Sequence, residues 1–521
     1  MAADAELALR LAFLAVAAVG FGVAVRAPRI GGAIAFVGGC ATGGLAVFAE
    51  HLAVAAAAGL ILTVPAMALT LRGWRRAVPR TAMLSVMCAG VAGAVVVSWS
   101  GYQFLYGATH PGSRLSGPPR GEVEWVWSGG VTANSAVVTA KLRRPDATPT
   151  LRVTPPAGSV TSTRDGAVVR FDVTGLRPNT EVRYAVDIGG AGDRSGEGVF
   201  RTMPDRASSF TVAFSSCART GSNGAVFDAI RAERPLMYMN LGDLYYANIE
   251  KPDPGRFARA FDRVLTRPAQ ANLYRATSTV YVWDDHDFGP NDADATSASA
   301  PAAHRVYRTV VPHHALGLPG AQAPLARAFT VGRVRFIVTD TRSARSPADM
   351  PDGPSKSILG PEQRRWFERE LLAARRYPVI VWVSPVPWIG TPRAGADGWA
   401  GYATERTALA EFITRNQISG IVMVSGDSHS VAIDDGTNSG YAAGGAGGFP
   451  LIHAGALDRE PQSKGGPYSH GVFPGGGQFG TLHVADDGGP KVTVTVRGLD
   501  WRRRELASLS VTMPARPPET K

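Results

Sequence analysis

The chain has 521 residues, 45% of them hydrophobic and 19% charged, with a formal net charge of +11. This length exceeds the usual size of one compact domain, so several structural units are expected. A positive charge suits nucleic acid or anionic lipid, but no block of five or six Lys and Arg residues occurs, so specific nucleic-acid binding is not expected. Of the three cysteines two lie inside apolar runs, which excludes a disulfide framework.

Residues 1–107 contain four apolar stretches of about 20 residues, which is long enough to cross a bilayer; they are Leu7–Val25, Ile30–Phe48, Leu52–Leu71 and Met83–Tyr106. A bundle of four transmembrane α-helices is therefore predicted. Arginines occupy the first and third connecting loops, and cationic loops stay in the cytoplasm. The prediction is a multi-pass protein of the cell membrane, anchored in the lipid bilayer, with its catalytic domain on the extracytoplasmic side.

The remaining chain divides into three segments. Residues 108–121 are rich in Pro and Gly and predict a linker. Residues 122–204 contain short alternating runs, such as EVEWVWSG and SAVVTAKL, separated by turn residues. They predict a small accessory β-sandwich similar to fibronectin type III modules. Residues 205–521 alternate short apolar runs with helical segments, which predicts an α/β catalytic domain of the αββα type with C-terminal β strands.

Polar residues follow the apolar runs of the third segment where each predicted strand ends. FTVAF precedes Cys217, LMYMNL precedes Asp243 and Tyr246, TVYVW precedes Asp284–Asp287, VRFIVT precedes Asp340 and Arg342, and IVMVS precedes Asp427 and His429. Ligands bind at this edge of open α/β sheets. Each residue alone has a structural explanation, because an Asp after Gly is often a helix N-cap and a lone Cys a buried thiol. Their joint placement predicts a metal site at which Asp243 bridges two cations.

Six motifs follow one another along the chain: SSC, GDLYY, WDDHDFGPND, TDTRSAR, LGPEQRRWFERELL and VSGDSH. In this order they resemble the motifs of the alkaline phosphatase D (PhoD-like) family, within the calcineurin-like metallophosphoesterase superfamily. The resemblance covers about Phe210–Leu482. It implies hydrolysis of phosphate monoesters and diesters at a binuclear metal centre, with Fe³⁺ and Ca²⁺ as the cofactors.

The resemblance also implies roles for individual residues. The implied metal ligands are Cys217, Asp243, Tyr246, Asp285, Asp427 and His429, and the first three match the iron ligands of the family. His286 would protonate the leaving alkoxide, and Asp287, the other catalytic residue, would orient its ring. Arg342 and Arg345 would bind a phosphate oxygen of the substrate. One metal-binding His of the superfamily is missing, because VSPVPW (Val383–Trp388) contains no His.

The predicted function is that of a membrane-anchored, extracytoplasmic phosphatase that hydrolyses phosphate monoesters by in-line displacement, without a covalent protein intermediate. A phosphodiesterase or phospholipase-D-like hydrolase is the first alternative, and a surface-binding protein with a degenerate site is the second. A purple-acid-phosphatase-like enzyme would require Asn at position 285 and Gly-His-x-His near position 426, and neither is present. The sequence leaves open the substrate, the metals, the oligomeric state and any role of the helices beyond anchoring.

Overall fold

The structure, a computed structural model, describes residues 110–189 and 193–515 of the chain. The strands are β1 (Val123–Gly129), β2 (Ser135–Leu142), β3 (Pro149–Thr154), β4 (Ser159–Asp165), β5 (Val168–Thr174), β6 (Glu181–Ile188), β7 (Glu197–Arg201), β8 (Phe210–Ser215), β9 (Met237–Asn240), β10 (Ser278–Tyr281), β11 (Arg327–Val331), β12 (Val334–Val338), β13 (Val379–Ser384), β14 (Ile421–Ser425), β15 (Ser430–Asp434), β16 (Leu451–Ala454), β17 (Val472–Pro474), β18 (Gln478–Ala485), β19 (Lys491–Asp500) and β20 (Glu505–Pro514).

The helices lie between these strands along the chain. They are α1 (Ala225–Ala232), α2 (Pro254–Leu265), α3 (Pro268–Ala276), α4 (Asp285–Phe288), α5 (Ala300–Val310), α6 (Gly360–Ala374) and α7 (Ala403–Arg415), with short 3-10 helices at Arg194–Gly196, Trp399–Tyr402 and Ala443–Gly445.

Two large sheets organise the described chain. The first has ten strands in the order β20-β19-β18-β8-β9-β10-β1-β2-β5-β4, and the second has seven in the order β11-β12-β13-β14-β16-β15-β17. Strands β8, β9 and β10 run parallel in the first sheet, as do β12, β13, β14 and β16 in the second. Parallel neighbours end at the same edge of a sheet, so the loops that follow them are brought together.

One hydrophobic core includes residues from both large sheets. It contains Phe214 and Met239 of the first sheet and Phe336, Val381 and Val424 of the second, all fully buried. Strands that are buried on both faces need apolar side chains at consecutive positions. This requirement explains the continuous apolar runs in the sequence.

Helices cover the outer face of each large sheet. In the first sheet, Phe227 of α1 and Phe261 of α2 share a cluster with Tyr238 of β9. In the second, Phe367 of α6 shares a cluster with Trp382 of β13. The layers therefore follow the order helix, sheet, sheet, helix.

The segment 122–204 contributes to two different sheets. Its strands β1, β2, β5 and β4 extend the ten-stranded sheet, and β1 meets β10 in parallel where Gly129 pairs with Thr279. Strands β3, β6 and β7 form a separate three-stranded sheet. Val138, Phe171 and Val186 from the two sheets belong to the main core. The segment is thus continuous with the first large sheet, and its predicted boundaries stay predictions.

The predicted transmembrane bundle and the predicted multi-pass membrane location are corrected here. Among the residues that the structure describes, no helix is long and apolar enough to cross a bilayer. The longest of them, α6, has 15 residues, several of them charged, whereas about 20 apolar residues are needed. The four predicted spans within residues 1–107 lie outside the described residues. The fold class supported is the layered, β-rich architecture described above.

Candidate metal centre

The candidate ligands lie in loops that follow four parallel strands. Cys217 follows β8, Asp243 follows β9, Asp285 begins α4 after β10, and Asp427 and His429 lie between β14 and β15. The first three loops belong to the first large sheet and the last to the second. The site therefore lies where the carboxyl-terminal edges of both sheets meet.

Four of these residues adopt a backbone conformation that non-glycine residues rarely adopt. The φ angles are 63° at Cys217, 53° at Asp243, 61° at Asp427 and 52° at His429. A left-handed non-glycine residue costs on the order of 1–3 kcal/mol and persists where its surroundings hold it. Loop-to-loop hydrogen bonds do so here, since Cys217 N donates to Gly242 O (3.2 Å) and Asp427 N to Ser216 Oγ (3.2 Å).

Two glycines allow these loops to approach closely. Gly242 has a φ of 105°, and a Cβ there would lie 2.5 Å from Cβ of Asp284. A Cβ at Gly426 would lie 2.8 Å from Cβ of Ser216. Both distances are shorter than side chains permit, so the glycines of GDLYY and VSGDSH are required for the packing of the ligand loops.

The candidate ligands form two overlapping groups. Donor atoms of Cys217, Asp243 and His429 lie within 4.8 Å of one another, and so do donor atoms of Asp243, Asp285 and His286. Asp243 belongs to both groups. The structure thus brings together residues that are as much as 212 positions apart in the sequence, from Cys217 to His429.

Three buried carboxylates at the centre each have an oxygen that makes no hydrogen bond. These atoms are Oδ1 of Asp243, Oδ1 of Asp285 and Oδ2 of Asp427, and the three residues are at most 4% exposed. A buried carboxylate oxygen without a hydrogen-bond partner is costly. A cation in contact with these oxygens would remove that cost, so the residues fit a metal ion.

Burial and mutual repulsion shift the pKa values of the candidate ligands. Burial, with the charges of Asp243 and Asp427, raises the pKa of Cys217 well above its ordinary value. Burial and the charge of Asp285 raise the pKa of Asp243. Burial by itself would raise the pKa of Asp285, but the charge of Arg342 outweighs it and holds that pKa below its ordinary value. Negative charge is thus concentrated around Asp243, where a cation would stabilise it.

His429 is held in the form that coordinates metals. Its Nδ1–H donates to the backbone oxygen of Glu460 (2.9 Å), and its Nε2 accepts from the hydroxyl of Tyr246 (3.0 Å). Burial lowers the pKa of His429 to about 4, so the ring is neutral near pH 7. A neutral imidazole whose other nitrogen is bound to a carbonyl is the usual metal-ligating arrangement.

His286 has a partner that the sequence did not predict. Its Nδ1 bonds to Oδ1 of Asn248, and its ring stacks on Tyr246 with 4.0 Å between centroids. The predicted orienting residue, Asp287, instead accepts hydrogen bonds from Leu244 N (2.9 Å), Tyr281 Oη (2.7 Å) and Asp284 N (2.7 Å). The orienting role assigned to Asp287 is corrected accordingly, because its carboxylate braces the loops after β9 and β10 while Asn248 contacts the imidazole.

Arg342 and Arg345, predicted to bind substrate, are fully buried and engaged by the protein. Arg342 pairs with Asp284 (2.5 Å) and with Asp397 (2.6 Å). Arg345 pairs with Asp397 (2.9 Å) and donates to the hydroxyl of Tyr402 (3.0 Å). In this arrangement their guanidinium groups hold acids next to the candidate metal centre. Their contact with substrate stays a prediction.

Two other cations face the centre from the segment after β16. Lys464 Nζ lies 2.6 Å from Oδ1 of Asp427, and the guanidinium of Arg459 lies 4.1 Å from the ring centroid of Tyr246. Both are partly exposed. The surrounding sequence, LDREPQSKGGPY, has neither the periodicity nor a strand end that would have marked them as site residues.

The layered fold and the acidic centre between its sheets define a candidate metal-dependent hydrolase. A family model described as PhoD-like phosphatase matches residues 212–448. Alkaline phosphatase D of Bacillus subtilis (strain 168) is 25% identical over 311 residues, which cover 50% of this chain and 53% of that protein. A solved structure titled "Structure of PhoD" is 18% identical with a TM-score of 0.57, covering 77% of this chain and 94% of that chain.

Residues 212–448 therefore match the PhoD-like family, as the motifs predicted. The family is one of phosphatases, so the predicted enzyme class, phosphoric ester hydrolase, is confirmed at the level of the family. The matched region spans about half the length of the curated relative. The structural match, at 18% identity, supports the fold.

Proposed function

We propose that the chain hydrolyses phosphate monoesters at a binuclear metal centre. The observation that carries this proposal is the position of Asp243. Its carboxylate lies within 4.8 Å of donor atoms of Cys217 and His429 in one group and of Asp285 and His286 in the other. A carboxylate has two oxygens, so Asp243 can contact two cations at once.

The chemistry of the donors supports two different cation positions. Cys217, Tyr246 and His429, together with Asp243, offer sulfur, nitrogen and oxygen, a set that suits a transition metal. Asp285 and Asp427, again with Asp243, offer carboxylate oxygens, which suit Ca²⁺, Mg²⁺ or Mn²⁺, and His286, which shares a donor group with Asp243 and Asp285, is assigned to the leaving oxygen below. Fe³⁺ and Ca²⁺, implied by the motif resemblance, fall into these two classes. When bound, such cations supply Lewis acidity and a nucleophile at neutral pH.

The first experiment tests the metal centre directly. Asp243→Asn is expected to lower kcat/KM for 4-nitrophenyl phosphate by at least roughly a thousandfold, since several kcal/mol of electrostatic stabilisation are removed, and to lower the metal content found by elemental analysis. Asp146→Asn, a change at an exposed residue, serves as the control. Full activity and full metal content in Asp243→Asn would instead favour a surface-binding protein with a degenerate site.

The second experiment separates the two ester classes. The same preparation is assayed on 4-nitrophenyl phosphate and on bis(4-nitrophenyl) phosphate, which share a leaving group. A higher kcat/KM for the monoester supports the proposal. A higher kcat/KM for the diester would replace it by a phosphodiesterase.

The third experiment concerns His286, which we assign to protonation of the leaving oxygen. Burial lowers its pKa, so the ring is neutral until a phosphate dianion lies beside it and favours the imidazolium. Loss of an acid matters most for a poor leaving group. His286→Gln should therefore reduce hydrolysis of an alkyl phosphate far more than that of 4-nitrophenyl phosphate. An equal reduction with loss of metal would make His286 a ligand.

A further inference from the structure

Helix α2 carries three arginines on one face, next to the proposed metal centre. Arg256, Arg259 and Arg263 are exposed and spaced three and four residues apart, which places them along one side of an α-helix over about 10 Å. They line a cavity of about 320 Å³ together with Tyr246, a candidate metal ligand. Tyr246 is therefore shared by this cavity and the candidate metal centre.

The three guanidinium groups are available to an external anion. Among residues 110–189 and 193–515, none of the three is engaged in an ion pair or a side-chain hydrogen bond. Asp262, the acid on the same helix, is occupied elsewhere, because it accepts from Trp125 Nε1 (2.8 Å) and pairs with Lys141 (2.7 Å). The lining of this cavity contains no acid.

The positive lining continues beyond the helix. Arg263 also lines a second cavity of about 860 Å³, together with Arg120, Arg143, Arg267 and Arg275, and Glu124 is the single acid among its lining residues. Glu124 is itself paired with Lys141 (3.1 Å). A cleft lined by one sign of charge attracts ligands of the opposite sign.

The chemistry of the row selects phosphate groups over apolar ligands or nucleobases. Arginine binds phosphate through paired N–H groups. Proteins that bind single-stranded nucleic acid also present aromatic rings for base stacking. The aromatic residues that line these two cavities are engaged by the protein instead, because Tyr246 packs against Arg459 and His286 and Trp125 is buried. The row thus suits a phosphate backbone without base recognition.

We propose that Arg256, Arg259 and Arg263 form a binding track for a linear chain of phosphate groups whose terminal phosphate monoester lies at the metal centre beside Tyr246. This inference rests on the proposed function and names its substrate class. We call the three residues the α2 arginine track. Its alternative is an ordinary solvated helix face.

The test uses three substrates with the same terminal monoester. They are thymidine 5′-phosphate, 5′-phosphorylated tetrathymidylate, and the same tetrathymidylate with uncharged methylphosphonate linkages, and phosphate release is measured. At low salt, kcat/KM for the charged chain should exceed that of the other two on the order of tenfold, as expected for a few exposed charge contacts. The advantage should shrink as NaCl is raised.

A variant with three changes, Arg256→Gln, Arg259→Gln and Arg263→Gln, should lower kcat/KM for the charged chain to that of its methylphosphonate analogue. The matched control is Arg365→Gln, Arg369→Gln and Arg375→Gln, which removes the same charge from exposed positions on and directly after α6. The control should keep the full advantage of the charged chain.

The outcomes separate the two proposals. Equal kcat/KM for the charged and uncharged chains, or an advantage that the triple variant retains, overturns the track. Hydrolysis of none of the substrates overturns the proposed function instead. Fluorescence anisotropy of labelled charged and uncharged chains then tests the α2 arginine track by itself. Equal affinities for the two chains would exclude the track, and weaker binding of the charged chain by the triple variant would support it.

Discussion

Two pairs of basic residues beside the candidate metal centre show how differently the same charge is used. Arg342 and Arg345 are fully buried, and their guanidinium groups pair with Asp284 and Asp397. Arg459 and Lys464 lie on the segment after β16 with about a quarter to a third of each side chain exposed.

Because the two pairs differ in burial, removing a cation from each pair should have a different consequence. Removing one partner of a buried ion pair leaves an uncompensated charge in a medium that solvates it poorly. Removing a partly exposed cation lets water replace it. The buried pair should therefore control stability, and the exposed pair should control activity.

The largest expected effect is that of Arg342→Met. It leaves Asp284 and Asp397 without their main cation and should lower the free energy of unfolding by about 3–5 kcal/mol, as measured by urea denaturation. Arg364→Met is the control, because Arg364 and Glu368 form a surface pair (3.1 Å) within α6, worth about 0.3–0.5 kcal/mol. Unchanged stability with lost substrate affinity would break the comparison and favour the predicted substrate-binding role of Arg342.

The next effect concerns activity. Lys464→Gln removes the cation that contacts Asp427 and should lower kcat/KM for 4-nitrophenyl phosphate by about 10- to 100-fold, the range of a charged hydrogen bond of about 1.5–3 kcal/mol. The free energy of unfolding should change by less than about 1 kcal/mol. Lys491→Gln, at an exposed position on β19, is the control. A loss of stability as large as that of Arg342→Met would show that Lys464 acts as a structural counter-ion, as Arg342 and Arg345 do.

The buried region around Arg342 should also make the free energy of unfolding depend on pH. His304 bonds to Ser343 (3.2 Å), next to Arg342, and burial lowers its pKa to about 4. Below about pH 6.5, His304 becomes protonated in the unfolded chain but stays neutral in the folded chain. The contribution of His304 to the free energy of unfolding is therefore complete above that pH and is lost as the pH falls towards 4. His304 should lower the free energy of unfolding by at most about 1.4 kcal/mol for each pH unit in this range.

Urea denaturation between pH 7.5 and pH 4.5 measures this slope. His304→Gln should show a smaller acid loss than the unsubstituted protein, and His470→Gln, at an exposed position, should not. An equal loss of unfolding free energy at low pH in all three proteins would show that the pKa of His304 is not lowered in the folded state.

The smallest expected effect belongs to Arg459. Its guanidinium lies over the ring of Tyr246 at 4.1 Å, and a partly exposed contact of this kind contributes about 0.5–1 kcal/mol. Arg459→Gln should therefore lower kcat/KM two- to fivefold, which is that free energy converted into a ratio of rate constants. Arg502→Gln removes a similar contact over Trp501 (4.4 Å) and should leave kcat/KM unchanged. An equal loss in both variants would indicate a general effect of net charge.

The sequence predicted that the loops of the candidate metal ligands follow the strand ends, and the reason is local. Strands such as β8 and β9 are buried on both faces, so their side chains form short apolar runs with clear ends. Cys217 and Asp243 follow those ends directly. The family motifs then identified the same positions from their order along the chain.

The sequence alone failed where neighbours in the chain are not neighbours in space. Asp287 follows His286 directly, yet the imidazole bonds to Asn248, 38 residues earlier. The resemblance implied a substrate contact for Arg342, and nothing in the local sequence indicated that Asp397, 55 residues later, also engages it. Such partners depend on the paths of long loops, which carry no periodic signal.

The amino-acid order by itself determined which residues can serve as ligands and at which strand ends they emerge, because strand burial dictates local hydrophobic patterning. The tertiary structure decided which charges are compensated and which remain available. That distinction follows from burial and from distances between remote segments: Arg342 and Arg259 are the same residue type, and only their surroundings make one a fixed counter-ion and the other free to meet an anion.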